Sequence, residues 1–365
     1  MRIAIVHDWL GDTRGGAEKV LIRLAQLYPQ ADIFCLTYSR KKYPELTDRN
    51  VTTSWLGKLP GFIRKRSGFL TVFAPHAIEH LNLDGYDLVI SSSNSFAKGV
   101  KVPESATHVC YCYSPMRYVW DYWPQWLNER AHNPLSRLYI SWLTHRLRQW
   151  DWYSSRDVDK WIAISETVAG RIKKYYQANS VVVYPGVIDT DAFWNAASTR
   201  HGYYITLSTL TSYKKVDLAI QACIKTKRKL MVVGEGPEWG RLHKLAEGHD
   251  NIVFMGRVST AEKIQYLQEA KGLIFANEED FGIAPLEAVA AGTPVVAFNK
   301  GGLTETIVDG KSGLFFDRQT VKSLAEALDR FEAKKWDHKL CHDQAAKFDL
   351  KRFDAAIIKE IKHAA

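Results

Sequence analysis

Residues 272–298 read GLIFANEEDFGIAPLEAVAAGTPVVAF. The apolar run GLIFA breaks into an acidic, glycine-containing loop. Pro285 then suits the first turn of a helix, which Gly292 can end before a second apolar run, VVAF. Strand, helix and strand in so short a span predict a βαβ unit and with it a parallel sheet. On this reading Glu287 falls in the first helical turn, Glu279 in the loop before it, and Gly282 lets backbone approach a ligand closely. Carboxylates, exposed backbone N–H groups and a positive helix end then converge at the carboxyl edge of the sheet. That edge is where open α/β sheets bind ligands, and helix N-termini favour phosphate. Taken alone, the same string also fits an acidic loop with a helix-capping glutamate.

Outward from this unit the alternation continues. The runs RIAIVHD, ADIFCLT, YDLVISS, THVCYCY and WIAIS in the first half, and YYITLS, KLMVVG and NIVFMG before GLIFA in the second, are separated by longer helical patterns. The fold class is therefore α/β, with two doubly wound, Rossmann-like parallel sheets. A chain of 365 residues is also too long for one ordinary core. The stretch 180–202, SVVVYPGVIDTDAFWNAASTRHG, carries a Pro-Gly turn and small polar residues and reads as a linker. The expected domains are 1–198 and 199–342. Residues 343–365 form a terminal helix with no strand after it, placed to cross back onto the first domain.

Composition narrows the class. With 46% hydrophobic and 24% charged residues the chain is globular, neither disordered nor fibrous. Five scattered cysteines argue against a disulfide framework and for a reducing cytoplasm. Cys110 and Cys112 fall on one face of a strand as a packed pair. The start, MRIAIVHDW, reads as a strand without a charged leader, and no apolar run is long enough to span a membrane. Net charge is +9, leaning to the first half. A basic balance alone fits nucleic acid, anionic lipid or phosphorylated small molecules, and a nucleic-acid reading has nothing else behind it.

The string from Glu279 to Glu287 with its continuation resembles the donor-site signature of family 4 retaining glycosyltransferases. So do Gly15-Gly16-Ala17-Glu18, Ser165-Glu166-Thr167-Val168, Lys214-Lys215-Val216-Asp217, Val233-Gly234-Glu235-Gly236 and Gly301-Gly302-Leu303-Thr304-Glu305. The stretches 110–121 and 86–93 look most like bacterial mannosyltransferases of surface-polysaccharide assembly that use GDP-mannose. The resemblance implies the GT-B arrangement, two Rossmann-like domains facing across a cleft. It implies a retaining, metal-independent transfer with a nucleotide diphosphate sugar as co-substrate and no other cofactor. Its acceptor would be a lipid-linked saccharide at the inner face of the cell membrane.

Carried over by position, Glu287 matches the glutamate that binds the nucleotide ribose and Glu279 the one facing the transferred sugar. Lys214 matches the lysine that neutralises the diphosphate as charge grows on it. Gly15 and Gly16 match the loop whose N–H groups approach phosphate or acceptor. Phe281, Gly282 and Ile283 match backbone contacts to sugar and phosphate. Two positions depart from the pattern. Thr209 stands where the family has an arginine, and Tyr113 where it has a sugar-contacting histidine; a phenol donates a hydrogen bond but takes no proton near neutral pH. Arg257 and Arg117 are the candidate replacements. The departures also motivate a rival reading, a non-catalytic subunit that binds nucleotide sugar.

Asp157-Val158-Asp159 and Asp189-Thr190-Asp191 read as capping or solvated acids, so no metal site is expected. The stretch 55–70 mixes Trp55, Leu59, Phe62, Ile63, Phe69 and Leu70 with Lys58, Arg64, Lys65 and Arg66, the composition of a surface that lies on anionic lipid, or of a basic loop packed on its own domain. The aromatics of 118–126, Trp120 among them, fit an acceptor platform or a satellite core.

Overall fold

The computed structural model describes residues 1–11, 14–64, 70–186 and 188–364. The chain divides into two compact units, Met1–Val187 with Phe353–Ala365, and Ile188–Arg352.

In the first unit the strands β1 (Ile3–His7), β2 (Asp32–Cys35), β3 (Val51–Thr53), β4 (Leu88–Ser93), β5 (Thr107–Cys112), β6 (Lys160–Ala163) and β7 (Ser180–Val182) form one parallel sheet in the order β3-β2-β1-β4-β5-β6-β7. β1 and β4 are buried along their whole length. Helices from the crossovers cover both faces of such a sheet, which is why these strands read as continuous apolar runs with no polar alternation. The thiols of Cys110 and Cys112 are both buried.

In the second unit β8 (Tyr203–Leu207), β9 (Lys229–Val233), β10 (Ile252–Gly256), β11 (Gly272–Phe275), β12 (Val295–Phe298) and β13 (Gly313–Phe316) form a parallel sheet in the order β10-β9-β8-β11-β12-β13. Both sheets reverse direction of growth beside their first strand, between β1 and β4 and between β8 and β11. Each therefore has a topological switch point, the place where open α/β sheets leave a crevice at the strands' carboxyl ends.

The units divide at 187/188, not near 198. Residues 188–198 pack with the second unit: the Leu350 N–H donates to Ile188 O at 3.2 Å, Thr190 Oγ1 to Asp349 Oδ2 at 3.0 Å, and Gln268 Nε2 to Phe193 O at 2.8 Å. The last helix, Leu350–Lys362, buries Phe353, Ile357 and Ile361, four residues apart on one stripe. Phe353 meets the Tyr111 ring edge-on at 5.9 Å, Lys160 Nζ pairs with Glu360 Oε2 at 2.8 Å, and Arg23 pairs with Asp354. Burying each of its three large apolar side chains stabilises by about 1.5–3 kcal/mol, enough to fix a helix of this length on the first unit.

Candidate functional site

At the switch point of the second unit, the loop after β8 carries Lys214 and the loop after β11 carries Glu279. The two side chains form an ion pair, and Glu279 Oε1 also accepts from Asn277 Nδ2 at 2.8 Å. Burial lowers the lysine pKa, but Glu279 and Tyr213 more than offset it, so Lys214 sits above its ordinary value and stays charged. In the same β8 loop Ser208 Oγ and Thr211 Oγ1 are buried with no hydrogen-bond partner among the described residues. Unsatisfied buried hydroxyls are rare, and two in the same loop as a half-buried cation suit a polar ligand.

Glycines let these loops close on one another. Gly282 has φ +91°, and a Cβ there would lie 2.5 Å from Leu303 Cδ2. Gly302 donates its N–H to Glu279 O at 2.8 Å, and a Cβ on it would sit 2.2 Å from Asp280 O. The Gly-Gly and Gly-Glu-Gly strings of the sequence thus shape the acidic loop and the β8 loop; Gly236 likewise would set a Cβ 2.3 Å from Leu210 O.

Gly282 is the N-cap of the helix Ile283–Ala290, which has no side-chain cap. This corrects one expectation. The helix starts two residues before Pro285, so Glu287 lies in its second turn. The cause is the left-handed Gly282, which turns the chain into the helix earlier than a proline-first start would. Glu287 is buried, and its Oε1 accepts from Lys263 Nζ at 2.7 Å. Lys263 comes from the helix Thr260–Glu269 and was not singled out from the sequence. Nothing in its local pattern marks it, because only the tertiary fold brings it to Glu287. Phe281 turns its ring inward against Phe348, centroids 5.6 Å apart. Thr209 is exposed, its carbonyl accepting the Thr211 N–H.

Arg257 lies outside this cluster. It is exposed just past β10, an outer strand two positions from β8, about 10 Å at ordinary strand spacing.

In the first unit the corresponding switch point is ordered by Asp8. Its carboxylate accepts four backbone N–H groups, from Asn94, Ser95, Phe96 and Ala97, at 2.6–2.9 Å, and so clamps the loop after β4. Tyr113 is buried at the end of β5. Ala17 O can only accept, so the Tyr113 hydroxyl donates to it at 3.0 Å; Ser92 Oγ then donates to Tyr113 at 2.8 Å, and His7 Nδ1 donates to Ser92 at 3.0 Å. The proton that would meet a sugar hydroxyl is thereby held inside the protein, and burial raises the phenol pKa well above its usual value. The N–H of Gly15, expected to meet phosphate, is taken by the Glu18 carboxylate at 2.6 Å in a capping arrangement, while Gly16 opens the helix Gly16–Leu27.

Arg117 and Arg171 share the Asp121 carboxylate, at 3.7 and 3.1 Å. Trp120 stacks on Tyr175 at 4.7 Å and donates Nε1 to Asp151 at 2.7 Å; Trp123 Nε1 donates to Thr144 at 2.9 Å. The aromatic stretch is thus a satellite core locked to the helix Pro134–Ser154. In the basic stretch Leu59, Ile63 and Leu70 pack on the core of the unit, whereas Phe62 and Arg64 are exposed. Lys65 and Arg66 lie outside the described residues. The carboxylates of the two Asp-x-Asp strings serve the backbone and a lysine: Asp159 accepts the His108 N–H at 2.7 Å, Asp189 the Asp191 N–H at 3.2 Å, and Asp157 pairs with Lys101 at 2.7 Å.

Comparison with known proteins agrees with this division. Residues 14–192 match Glycosyltransferase Family 4, and residues 187–348 match Glycosyl transferases group 1. A GDP-mannose-dependent alpha-(1-6)-phosphatidylinositol monomannoside mannosyltransferase of Mycobacterium tuberculosis is 33% identical over 180 residues, 41% of this chain and 46% of that one. An uncharacterized glycosyltransferase of Methanocaldococcus jannaschii is 24% identical over 48% of this chain and 50% of its own. The chain thus spans about half the length of these curated relatives. Among solved structures, Anabaena HepE in complex with UDP superposes over the full length of both chains with a TM-score of 0.71 at 18% identity.

Proposed function

The chain is a GT-B glycosyltransferase of the family 4 and group 1 kind, one domain type in each half, and on that premise we propose that it transfers a hexose, mannose from GDP-mannose, with retention and without a metal, onto a lipid-linked or polysaccharide acceptor. The observation that carries the proposal is the switch-point cluster of the second unit: Lys214 paired with Glu279, two unpartnered buried hydroxyls beside them, and Glu287 one turn inside a helix without a side-chain cap.

In this reading the carboxylate of Glu287 accepts the two ribose hydroxyls, with Lys263 holding it in place. The diphosphate lies against Lys214 and the N–H groups at Ile283, where a cation and a helix N-terminus both favour negative charge. As the bond from the anomeric carbon to the phosphate oxygen breaks, charge grows on that oxygen and Lys214 stabilises it. The acceptor oxygen bonds to the same face of the sugar, and its proton passes to the leaving phosphate. Glu279, freed from Lys214 as the cation turns to the diphosphate, faces the sugar. Mannose and GDP are favoured by the mycobacterial relative's name and the local look of residues 110–121.

The exposed Thr209 and the internally bonded Tyr113 favour, as a second reading, a subunit that binds nucleotide sugar without turning it over. Incubating the protein with radiolabelled GDP-mannose and a bacterial lipid extract decides between them. Label in the lipid phase with release of GDP supports transfer, whereas bound and unchanged GDP-mannose supports the subunit.

A further inference from the structure

The helix Pro134–Ser154 is fastened from behind. Its Asp151 is buried and accepts from Lys98 Nζ at 2.6 Å, from Trp120 Nε1 at 2.7 Å and from Tyr176 Oη at 2.8 Å. Ile140, Leu143 and Leu147 fill the core side. The opposite side is not what a solvated helix presents. Leu135 is 80% exposed, Leu138 71%, Tyr139 52% and Trp142 54%. Spaced by three and four residues, they form one stripe, which Arg146, Gln149 and Tyr153 continue. The Tyr139 and Trp142 rings stack on each other with centroids 6.3 Å apart.

Charge identifies what covers this stripe. From Arg130 to Arg156 the chain carries five arginines and two histidines against one acid, Asp151, and that acid is buried in the Lys98 pair. Arg146 is exposed on the stripe itself, and Arg130 and Arg156 are exposed just before and just after the helix in the chain. No carboxylate lies on the stripe itself, so a second copy of the same face would offer Arg146 no acidic partner there; the flanking Glu129 and Asp157 accept from Tyr122 and Lys101. An apolar stripe of leucine, tryptophan and tyrosine with a cationic rim is instead the complement of a bilayer surface carrying anionic headgroups. Tryptophan and tyrosine suit that boundary because one end of each ring system is apolar and the other polar.

We propose that the outer face of the helix Pro134–Ser154 is the surface by which the first unit docks on a membrane containing anionic lipid. This deepens the function proposed above and rests on its lipid-borne acceptor. It moves the docking surface away from residues 55–70, where Leu59, Ile63 and Leu70 pack on the core of the unit. The fixed backing by Lys98 and Asp151 means that the stripe is presented without refolding.

The test is flotation of the whole chain with phosphatidylcholine vesicles and with vesicles that also contain phosphatidylglycerol. Three proteins are compared: the wild type, a variant with Leu135→Ser, Leu138→Ser and Trp142→Ser, and a variant with Arg64→Ser, Lys65→Ser and Arg66→Ser. Circular dichroism and melting confirm that each is folded, and a variant with Arg146→Ser and Tyr153→Ser serves if the apolar one is not. The expected result is binding to the anionic vesicles only, weakened at least about tenfold by the helix substitutions and by high salt, and little changed by those at 64–66. If the 64–66 variant alone loses binding, this docking surface is wrong while the membrane reading stands. If nothing binds, both fail, and transfer to a water-soluble acceptor still tests the glycosyltransferase reading by itself. A dimer in solution that the helix substitutions abolish, with no vesicle binding, would make the stripe a self-association face and overturn the proposal.

Discussion

Lys214→Ala removes the cation that the structure pairs with Glu279, and its two effects separate in size. In the ligand-free protein the pair is partly buried, with side-chain exposures of 15% and 22%, and Asn277 remains as a donor to Glu279. Breaking it falls between the exposed case, about 0–1 kcal/mol, and the fully buried case, about 3–5 kcal/mol; about 1–2 kcal/mol is expected. That lowers the melting temperature by roughly 2–8 °C for a unit of this size. Transfer is hit harder. Deleting one preorganised donor at a site of developing charge costs about 3–4 kcal/mol in activation free energy, or roughly two to three orders of magnitude in turnover. Thr209 stands exposed where an arginine would share the load, so the full loss is expected to fall on turnover. Turnover is measured at saturating donor by label transferred to acceptor, beside calorimetric affinity for the nucleoside diphosphate and a thermal melt. A Lys214→Ala enzyme that is folded and keeps turnover within about threefold of wild type, under 1 kcal/mol, would refute the assignment of the diphosphate to this lysine.

Glu287→Ala should weaken nucleotide affinity while leaving saturated turnover nearly intact, since ribose contact is the same in ground and transition states; Glu279→Ala should do the reverse, and kcat and KM on both variants check this. Asp151→Ala should destabilise the first unit by about 3–5 kcal/mol, because it strands the buried Lys98 charge, and chemical denaturation reads it directly. His108 is fully buried between Ser91 Oγ and Asp157 O, and burial lowers its pKa to about 4. The unfolded chain, with an ordinary histidine near 6.5, binds the proton first. Stability should therefore fall by about 3 kcal/mol as pH drops from about 6.5 to about 4, and His108→Gln should flatten that part of the pH profile.

The frame of the molecule was legible because parallel strands covered on both faces announce themselves as apolar runs. The strands that escaped were short or disguised. β3 is three residues of Val-Thr-Thr, β7 sits inside what reads as a linker, and β13 follows a turn with few other cues. Lys214 and Glu279 were named from sequence, and the fold brings them into contact across the switch point. What sequence could not reach were pairings made by tertiary structure alone. Lys263 meets Glu287, and Tyr113 spends its proton on Ala17. The helix Pro134–Ser154 shows the same limit, since its apolar residues lie all round and only burial tells the inward Leu143 and Leu147 from the outward Leu138 and Trp142.

The central claim is that the second unit holds a nucleotide diphosphate sugar with Glu287 on its ribose. Thermal melts with a panel of nucleotide sugars and their diphosphates test it most directly. GDP-mannose at about a hundred times its dissociation constant should stabilise the protein by about 2.7 kcal/mol, shifting the melt by several degrees, and Glu287→Ala should abolish most of that shift. No stabilisation by any nucleotide sugar, or a shift that Glu287→Ala leaves unchanged, would contradict it.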